Sequence, residues 1–363
     1  MNISLIYRVN AAVPENLGVL LKMDGQQKAF NQLGHVCDVY YHRNGDIIKR
    51  DHEGREFILE TVTYKNRSFS FKDFFNALSK VSNITNADLL YIRYPFSTPA
   101  FLNFVRRFKK DQIVIEMPTY PYQKEWKGLS RMFLGVDKYY SAKLKDYCQA
   151  IVHYGKEQEI FNIKTIASSN GVDTSLFPLV QNNRAQGLKM IAVGKFNYWH
   201  GLDRLISGIA GLSDKELLND IELKVVGEGE VISTLKQQVV DLGLQGNVIF
   251  CGVKRGKELD ELFNQSNLGI GTLAIHRKDV IINSSLKHRE YASRGLPFMY
   301  AGNDPDFTDC KWAYNISETE EDVDLKSVMS ILEANNFNSV EIKKYSEECL
   351  DWRVKVSGIL ERL

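Results

Sequence analysis

The sequence predicts an α/β protein made of two domains, each built around a parallel sheet. With 363 residues, of which 44% are hydrophobic, the chain is longer than a single hydrophobic core usually grows. Short runs rich in β-branched residues alternate with amphipathic helical patterns from end to end, which is typical of βαβ units. This alternation occurs twice, with a break at residues 177–187, where polar residues, a proline and a glycine predict a linker. Two domains of this kind imply a cleft.

The predicted strands form two series, one on each side of the break. The first series consists of residues 3–7, 36–41, 57–62, 89–92, 113–116 and 150–153. The second consists of residues 190–193, 223–226, 248–250, 268–270 and 298–300. We therefore predict an N-terminal domain, a linker, a C-terminal domain and a final helix that packs back on the first domain, with the bounds 1–176, 177–187, 188–340 and 341–363.

Composition excludes several classes of protein. No run of eighteen apolar residues predicts a membrane span, and the N-terminus lacks the pattern of a signal peptide, so we expect a cytoplasmic protein. The five cysteines are odd in number and scattered, which predicts neither a disulfide framework nor a zinc site. The histidines show no metal-ligand spacing. No metal is therefore expected.

The net charge of +1 conceals an asymmetry between the two halves of the chain. Residues 1–170 carry 24 Lys and Arg against 17 Asp and Glu, whereas residues 171–363 carry 22 against 28. A basic first half suits an anionic acceptor or the surface of a membrane, although scattered lysines also occur on ordinary solvated faces.

One predicted helix has well-defined signals at both ends. Ser284 and Ser285, which follow an asparagine, are capable N-caps, and Gly295 in a Gly-x-Pro sequence predicts the end. The sequence therefore predicts a helix of about ten residues that begins near Ser284.

Lys287 falls in the first turn of this helix, where the positive end of the helix dipole disfavours a cation. A bound anion such as a diphosphate would explain the lysine, because helix N-termini bind phosphate groups. Glu290, one turn further on, could accept two ribose hydroxyls. An ordinary surface pair between Lys287 and Glu290 fits the spacing equally well.

The same segment resembles the K-x-x-E-Y-x-x-x-G-x-P signature of the retaining group 1 (family 4) glycosyltransferases, matched here by Lys287, Glu290, Tyr291, Gly295 and Pro297. Other motifs similar to this family follow the expected order along nearly the whole chain. They are Asn170-Gly171-Val172-Asp173, Val193-Gly194-Lys195, His200-Gly201-Leu202-Asp203, Val226-Gly227-Glu228-Gly229 and Cys251-Gly252.

The resemblance implies the GT-B fold, in which two Rossmann-like doubly wound domains face a deep cleft. The first domain would bind a glycan or lipid-linked acceptor, and the second a nucleotide diphosphate-sugar. A hexose-type sugar would be transferred with retention of configuration, without a metal or a cofactor. The family suggests surface polysaccharide assembly at the inner face of the membrane, with peripheral membrane contact through the basic first domain. No nucleic-acid partner is implied.

The resemblance also assigns residues to the donor. Gly194, Lys195 and Lys287 would lie at the diphosphate, and His200 would either contact phosphate or cap the following helix. Gly18, after the first strand, resembles the family's glycine-containing loop near the donor. Many relatives have a further glutamate eight residues before the one matched by Glu290, where this chain has Ile282.

On the acceptor side, the segment after the strand at 113–116 holds aromatic residues beside two prolines, which suits a shaped pocket for sugar rings. We expect Glu116 to act as acid or base, although a carboxylate at a strand end is also commonly a structural hydrogen-bond acceptor. The other expected acceptor-side residues are Arg93, Tyr120, Tyr122 and Glu125.

Two further sequence features are interpreted as structural. Lys22, on the first helix, is expected to be a solvated lysine. Asp304-Pro305-Asp306 is expected to form a turn and not a metal site.

Two rival functions remain open from the sequence. A nucleotide-sugar epimerase of similar fold would act on the donor alone. A catalytically inactive nucleotide-sugar-binding partner would also fit, because the glutamate that many relatives carry is replaced by Ile282.

Overall fold

The computed structural model describes residues 1–62, 71–81, 84, 86–122, 133–181, 187–212, 214–278, 282–335 and 337–363. The chain forms two compact units. The first consists of Met1–Gly171 together with Trp352–Leu363, and the second of Val172–Asp351.

The first unit is built on one sheet with helices on its two faces. Its strands are β1 (Asn2–Asn10), β2 (Val36–Arg43), β3 (Asp46–Arg50), β4 (Glu56–Thr61), β5 (Leu89–Arg93), β6 (Ile113–Met117), β7 (Ala150–His153), β8 (Glu159–Ile160) and β9 (Ile163–Ala167). Its α-helices are α1 (Leu17–Gln32), α2 (Phe71–Leu78), α3 (Pro99–Val105), α4 (Phe133–Ser141) and α12 (Trp352–Leu360).

The sheet order in the first unit is β4-β3-β2-β1-β5-β6-β7-β9-β8. The strands from β2 through β1, β5, β6 and β7 to β9 are parallel, as expected for βαβ units. The sequence pattern did not predict β3, which joins β2 and β4 in antiparallel pairing. Asn44 and Gly45, both with positive φ, form the tight turn between β2 and β3.

The second unit holds a fully parallel sheet in the order β12-β11-β10-β13-β14-β15. Its strands are β10 (Leu188–Lys195), β11 (Ile221–Glu228), β12 (Val248–Gly252), β13 (Leu268–Ile270), β14 (Phe298–Ala301) and β15 (Ala313–Ile316). Its α-helices are α5 (Leu202–Ala210), α6 (Lys215–Asn219), α7 (Ile232–Asp241), α8 (Lys257–Asn264), α9 (Leu286–Ser293), α10 (Leu325–Ala334) and α11 (Ser339–Tyr345). Short 3-10 turns lie at Thr174–Leu176, Tyr198–His200, Ile275–Lys278 and Pro305–Phe307.

This strand order reverses between β10 and β13, so the second unit has the doubly wound arrangement of a Rossmann domain. In such sheets a ligand binds outside the carboxyl ends of the strands where the order reverses. The carboxyl ends of β10 and β13 are therefore where a ligand of this unit is expected.

The boundary between the two units lies at a different residue from the predicted domain boundary. Val172 pairs with Asp351 and lies in the core of the second unit, so the change of unit comes before residue 176. Residues 177–181 are no exposed linker, because Val180 is buried and its amide donates to the carbonyl of Arg294. Residues 182–186 lie outside the described part of the chain.

The C-terminal segment also divides differently from the predicted bounds. Helix α11 belongs to the second unit, where Ile342 is buried in the core. The return to the first unit begins at Trp352, whose ring packs directly against Gly25 and Gly171. Val356 and Ile359 continue the buried face of α12 in the same core.

Candidate functional site

Glycines lie next to the last residue of the neighbouring strands β10 and β11 and let the two backbones approach closely. A Cβ atom on Gly227, at the end of β11, would lie 1.9 Å from the carbonyl oxygen of Gly194, at the end of β10. Gly194 itself has a φ of +140°, which side chains disfavour. Only glycine fits at both positions without a shift of the backbone.

Helix α9 begins at Leu286, and Ser285 is its N-cap residue. The Ser285 side chain makes no capping hydrogen bond, so it does not satisfy the amides of the first helical turn. Ser284 and Ser285 are both half-buried. The predicted start near Ser284 is close to the observed one, and the helix is eight residues long.

The Lys287 side chain extends from the first turn of α9 to the end of β10. A Cβ atom on Gly194 would lie 2.7 Å from its Cε and 3.0 Å from its Nζ, and the amine lies 5.0 Å from the centroid of the Phe196 ring. Among the described residues, no carboxylate lies within ion-pairing distance of Nζ. Burial lowers the pKa of Lys287 to about 7, although the charge of Glu290 acts in the opposite direction.

His200 is buried beside this amine. Its Nδ1 lies 2.9 Å from the Asn197 amide nitrogen, which donates to it when the ring proton is on Nε2, and 3.2 Å from the Asn197 carbonyl oxygen. Burial and the charge of Lys287 lower the pKa of His200 to about 3, so the ring is neutral at physiological pH. Lys195 is exposed at the end of β10. The residues assigned to the diphosphate therefore lie at the carboxyl end of one strand.

Glu290 has a partner that the sequence pattern did not predict. Arg294, one turn further on, donates from Nε to Glu290 Oε1 at 3.0 Å and from Nη1 to Asp260 at 2.7 Å. Burial raises the pKa of Glu290 even though Arg294 opposes this. The surface pair between Lys287 and Glu290 that the spacing allowed is not formed.

Tyr291 attaches α9 to the sheet at the reversal of strand order. Its hydroxyl donates to the carbonyl of Ile270, at the end of β13, at 2.9 Å and accepts from the amide of Val193, in β10, at 3.3 Å. One side chain thus joins the helix to both strands that flank the expected ligand position.

On its inner side, α9 carries a buried ionic cluster. Asp304 accepts from both Nη atoms of Arg289, at 2.7 and 2.9 Å, and from His288 Nδ1 at 2.9 Å. Asp306 also pairs with Arg289. Asp304 to Asp306 form the start of a 3-10 turn, in agreement with the predicted turn. Spacing alone did not predict the partners of these aspartates.

In the first unit, Glu116 lies at the end of β6 and is fully buried. Its Oε1 pairs with Lys22 at 3.1 Å and accepts hydrogen bonds from Gln26, Tyr154 and Tyr91, whereas the Tyr7 hydroxyl, 3.4 Å from Oε2, donates to Gln26 at 2.5 Å. The side chain is fully buried and held by Lys22, which does not support direct contact of Glu116 with an acceptor.

The expectation of a solvated Lys22 is wrong. Lys22 is only 4% exposed and also donates to Tyr154 at 2.7 Å and to Asn170 at 3.1 Å. Burial lowers its pKa to about 7, against the opposing charge of Glu116. The cationic partners of Glu116 hold the pKa of that carboxyl below its usual value despite burial.

The other expected acceptor-side residues lie near the ends of β5 and β6. Arg93 is partly exposed, with Nη1 3.9 Å from Glu116. Tyr122 is buried and bonds to Asp137 of α4, which also accepts from Tyr94 at 2.6 Å, whereas Tyr120 is half-buried. Glu125 lies outside the described residues.

Gly18 is an exposed residue in the first turn of α1. Within the described ranges, no group of three or more His, Cys, Asp or Glu is placed to hold a metal ion. The same part of the chain contains no helix that is both long enough and apolar enough to cross a membrane.

Residues 179–272, which include β10, β11 and the strand ends just described, match the family model for glycosyl transferases group 1. Over these residues the chain is similar to the group 1 glycosyltransferases. Helix α9 lies just beyond the matched residues, so the family match does not itself cover Lys287 and Glu290.

Solved structures share the fold of this chain over its whole length. Sucrose-phosphate synthase from Thermosynechococcus elongatus superposes with a TM-score of 0.67 at 13% identity, covering 99% of this chain and 98% of that one. HepE from Anabaena, in complex with UDP, gives 0.65 at 13% identity and covers all of both chains. The lipopolysaccharide outer core galactosyltransferase WaaB gives 0.61 at 12% identity, again with full coverage of both chains. No curated protein sequence matches the chain.

These similarities confirm the predicted GT-B fold with two Rossmann-like units. The match to the family model also supports the coarser functional prediction, a glycosyltransferase. The roles of the individual site residues stay predictions.

Proposed function

We propose that the protein is a retaining glycosyltransferase of family 4 that moves a hexose from a nucleotide diphosphate-sugar to a glycan or lipid-linked acceptor. The observation that carries this proposal is the position of the Lys287 amine, which lies against Gly194 at the end of β10 without a carboxylate partner among the described residues. A cation held there by the fold suits a diphosphate at the reversal of strand order.

The surrounding groups supply what a diphosphate needs. Amides of the first turn of α9 would donate to phosphate oxygens, as helix N-termini do. His200 would donate from Nε2, and the exposed Lys195 would add a second positive charge. Arg294 is bonded to one oxygen of Glu290, so the other oxygen, Oε2, would accept a ribose hydroxyl.

In the reaction, the bond between the sugar and the diphosphate breaks, and negative charge develops on the leaving nucleoside diphosphate. Lys287, Lys195 and the helix amides would stabilise this charge, which in other folds is the task of a divalent metal ion. We therefore propose transfer without a metal, and EDTA would leave the rate unchanged. Ile282 replaces the glutamate found in many relatives, so the sugar would be held by other groups.

The acceptor would bind the first unit. Arg93, Tyr120 and Tyr122 offer a cation and aromatic rings at the ends of β5 and β6, and Glu125 belongs to the same predicted set. Glu116 is proposed as a buried support for this region and no longer as the acid or base, because its carboxylate is fully buried and paired with Lys22. Surface polysaccharide assembly in the cytoplasm, at the inner face of the membrane, would provide an acceptor of this class. No nucleic acid takes part.

A panel of UDP-, GDP- and dTDP-sugars tests this proposal. The purified protein should slowly release nucleoside diphosphate from one of these donors, and a suitable acceptor should accelerate the release. Interconversion of the sugar without release would instead identify an epimerase. Tight binding with no turnover, with or without a range of acceptors, would identify an inactive binding partner.

We also propose peripheral membrane contact through the outer face of α4. Phe133 and Tyr139 on this helix are 58% and 60% exposed, and Val136 lies between them. Lys143 lies over the ring of Tyr139, with Nζ 3.9 Å from the ring centroid, and Lys138 is exposed. Aromatic residues beside lysines suit the interface of an anionic membrane.

Sedimentation with vesicles measures this contact. The wild-type protein should bind vesicles that contain an anionic phospholipid, and Phe133→Ser/Tyr139→Ser should reduce binding about tenfold, because burial of two aromatic side chains is lost. The matched control is Phe57→Ser/Ile58→Ser, which removes exposed apolar residues from β4. Equal loss in both double variants would contradict a specific role of α4.

A further inference from the structure

The buried ionic cluster of Asp304, Arg289 and His288 has no role in the chemistry proposed above. Its three side chains are all nearly inaccessible to solvent. Burying ions costs several kcal/mol each, and well-packed apolar residues in their place are often at least as stable. The cluster is therefore poorly explained by stability alone.

The surroundings of the cluster are apolar. The His288 ring stacks on Phe298, with the centroids 5.0 Å apart and the planes at 19°, and the Arg289 guanidinium lies 5.2 Å from the centroid of the Phe307 ring. A bidentate pair between Arg289 and Asp304 fixes direction as well as distance, because the guanidinium fork matches the carboxylate in one geometry. The cluster thus defines the rotation of α9 about its own axis.

That rotation decides where the Lys287 side chain points. Lys287 and Glu290, three residues apart, lie on one face of α9, and the buried His288 and Arg289 between them lie on the opposite face. Asp304 belongs to the loop after β14 and is not part of α9. It therefore attaches the helix to the sheet from the side opposite the lysine.

We propose that Asp304 is a positioning residue for the donor: through Arg289 and His288 it sets the orientation of α9 and so holds the Lys287 amine against Gly194. The inference rests on the proposed function, since it assigns to Lys287 the diphosphate of the donor. Asp306 supports the same guanidinium. The Asp-Pro-Asp sequence is then an anchor for the helix that carries the lysine.

A double-mutant cycle on the affinity for UDP tests the proposal. Asp304→Asn should weaken UDP binding about tenfold in the wild-type background and less than about twofold in the Lys287→Ala background, because the lysine that Asp304 positions is already gone. Independent effects that multiply would overturn the proposal. Lys287 is expected to make UDP affinity fall between pH 7 and pH 9. This fall should be smaller in Asp304→Asn than in the wild-type protein.

The control is Val239→Ala in α7, which creates a cavity in a different core cluster of the same unit. It should lower the melting temperature and leave UDP affinity within about twofold of the wild-type value. Arg289→Lys keeps the positive charge but cannot form the bidentate pair with Asp304. If Asp304→Asn does not fold, Arg289→Lys replaces it in the same double-mutant cycle with Lys287→Ala. Normal UDP binding by folded Asp304→Asn would reject the positioning role, whereas normal binding by Lys287→Ala would reject the donor site itself.

Discussion

The Lys287→Ala protein should bind UDP about 10- to 150-fold more weakly than the wild-type chain and should transfer sugar at a rate close to background. The affinity loss corresponds to one hydrogen bond to a charged group, about 1.5–3 kcal/mol. The loss of rate should be larger, about 100- to 1000-fold, because charge on the leaving phosphate increases in the transition state. Calorimetric titration with UDP and a coupled assay for released nucleotide measure the two quantities.

The pH dependence of binding distinguishes Lys287 from other cations. Its pKa is about 7 in the free protein, because burial disfavours the charged form. A bound diphosphate favours the charged form, so binding takes up a proton above pH 7 and UDP affinity should fall by up to about tenfold per pH unit between pH 7 and 9. Lys287→Ala should show a flat profile there. Lys287→Arg should also be flat, because arginine stays charged, while retaining more of the affinity.

Gly194→Ala, a change in β10, tests whether the Lys287 amine acts from its position against this strand. The new methyl group would lie 2.7 Å from Lys287 Cε and would displace the side chain. Gly252→Ala is the control, because Gly252 also has a positive φ but no atom within 4 Å of the added carbon. A wild-type UDP affinity in Gly194→Ala would show that the amine does not act from this position.

The largest expected effect on stability is in the first unit. Lys22→Met should destabilise it by about 3–5 kcal/mol, because Glu116 would remain as an uncompensated buried charge. Urea unfolding followed by hydrogen exchange, resolved to peptides, measures the loss for this unit separately. The double variant Lys22→Met/Glu116→Gln should recover much of the stability, because no unpaired charge is left.

Lys80→Met is the matched control for this prediction. It breaks a pair with Glu60 at 2.5 Å in which the lysine side chain is 69% exposed, and such pairs contribute less than about 1 kcal/mol. If Lys22→Met were as mild as Lys80→Met, the buried network would not stabilise the unit in the way described.

Local sequence signals predicted β10 to β14 of the second unit, because these strands are short apolar runs followed by a helix or a turn, but they did not predict β15. In the first unit the antiparallel hairpin was missed. Its signal was present in Asn44-Gly45, a turn typical of hairpins, but β3 contains Lys49 and Arg50 and lacks a continuous apolar run. The hydrophobic pattern alone therefore did not predict β3, whereas the Asn-Gly turn sequence would have predicted the hairpin.

Contacts between distant residues could not be predicted from spacing. Lys22 and Glu116 lie on different elements, and nothing local shows that a helix lysine meets the end of β6. The same holds for Asp304 and Arg289. By contrast, the anomaly of a lysine in the first turn of α9 was local, since the helix dipole acts within one turn. The sequence could therefore indicate Lys287 but not the groups that orient it.

The first unit takes its last helix from the end of the chain, after the whole second unit has been made. The second unit is one continuous segment of the chain, whereas the N-terminal residues are covered only once Trp352 packs against Gly25 and Gly171. The N-terminal segment is thus the first to be synthesised and the last to be finished. A premature stop before Trp352 would leave the face of α1 open to aggregation while the later segment folded normally.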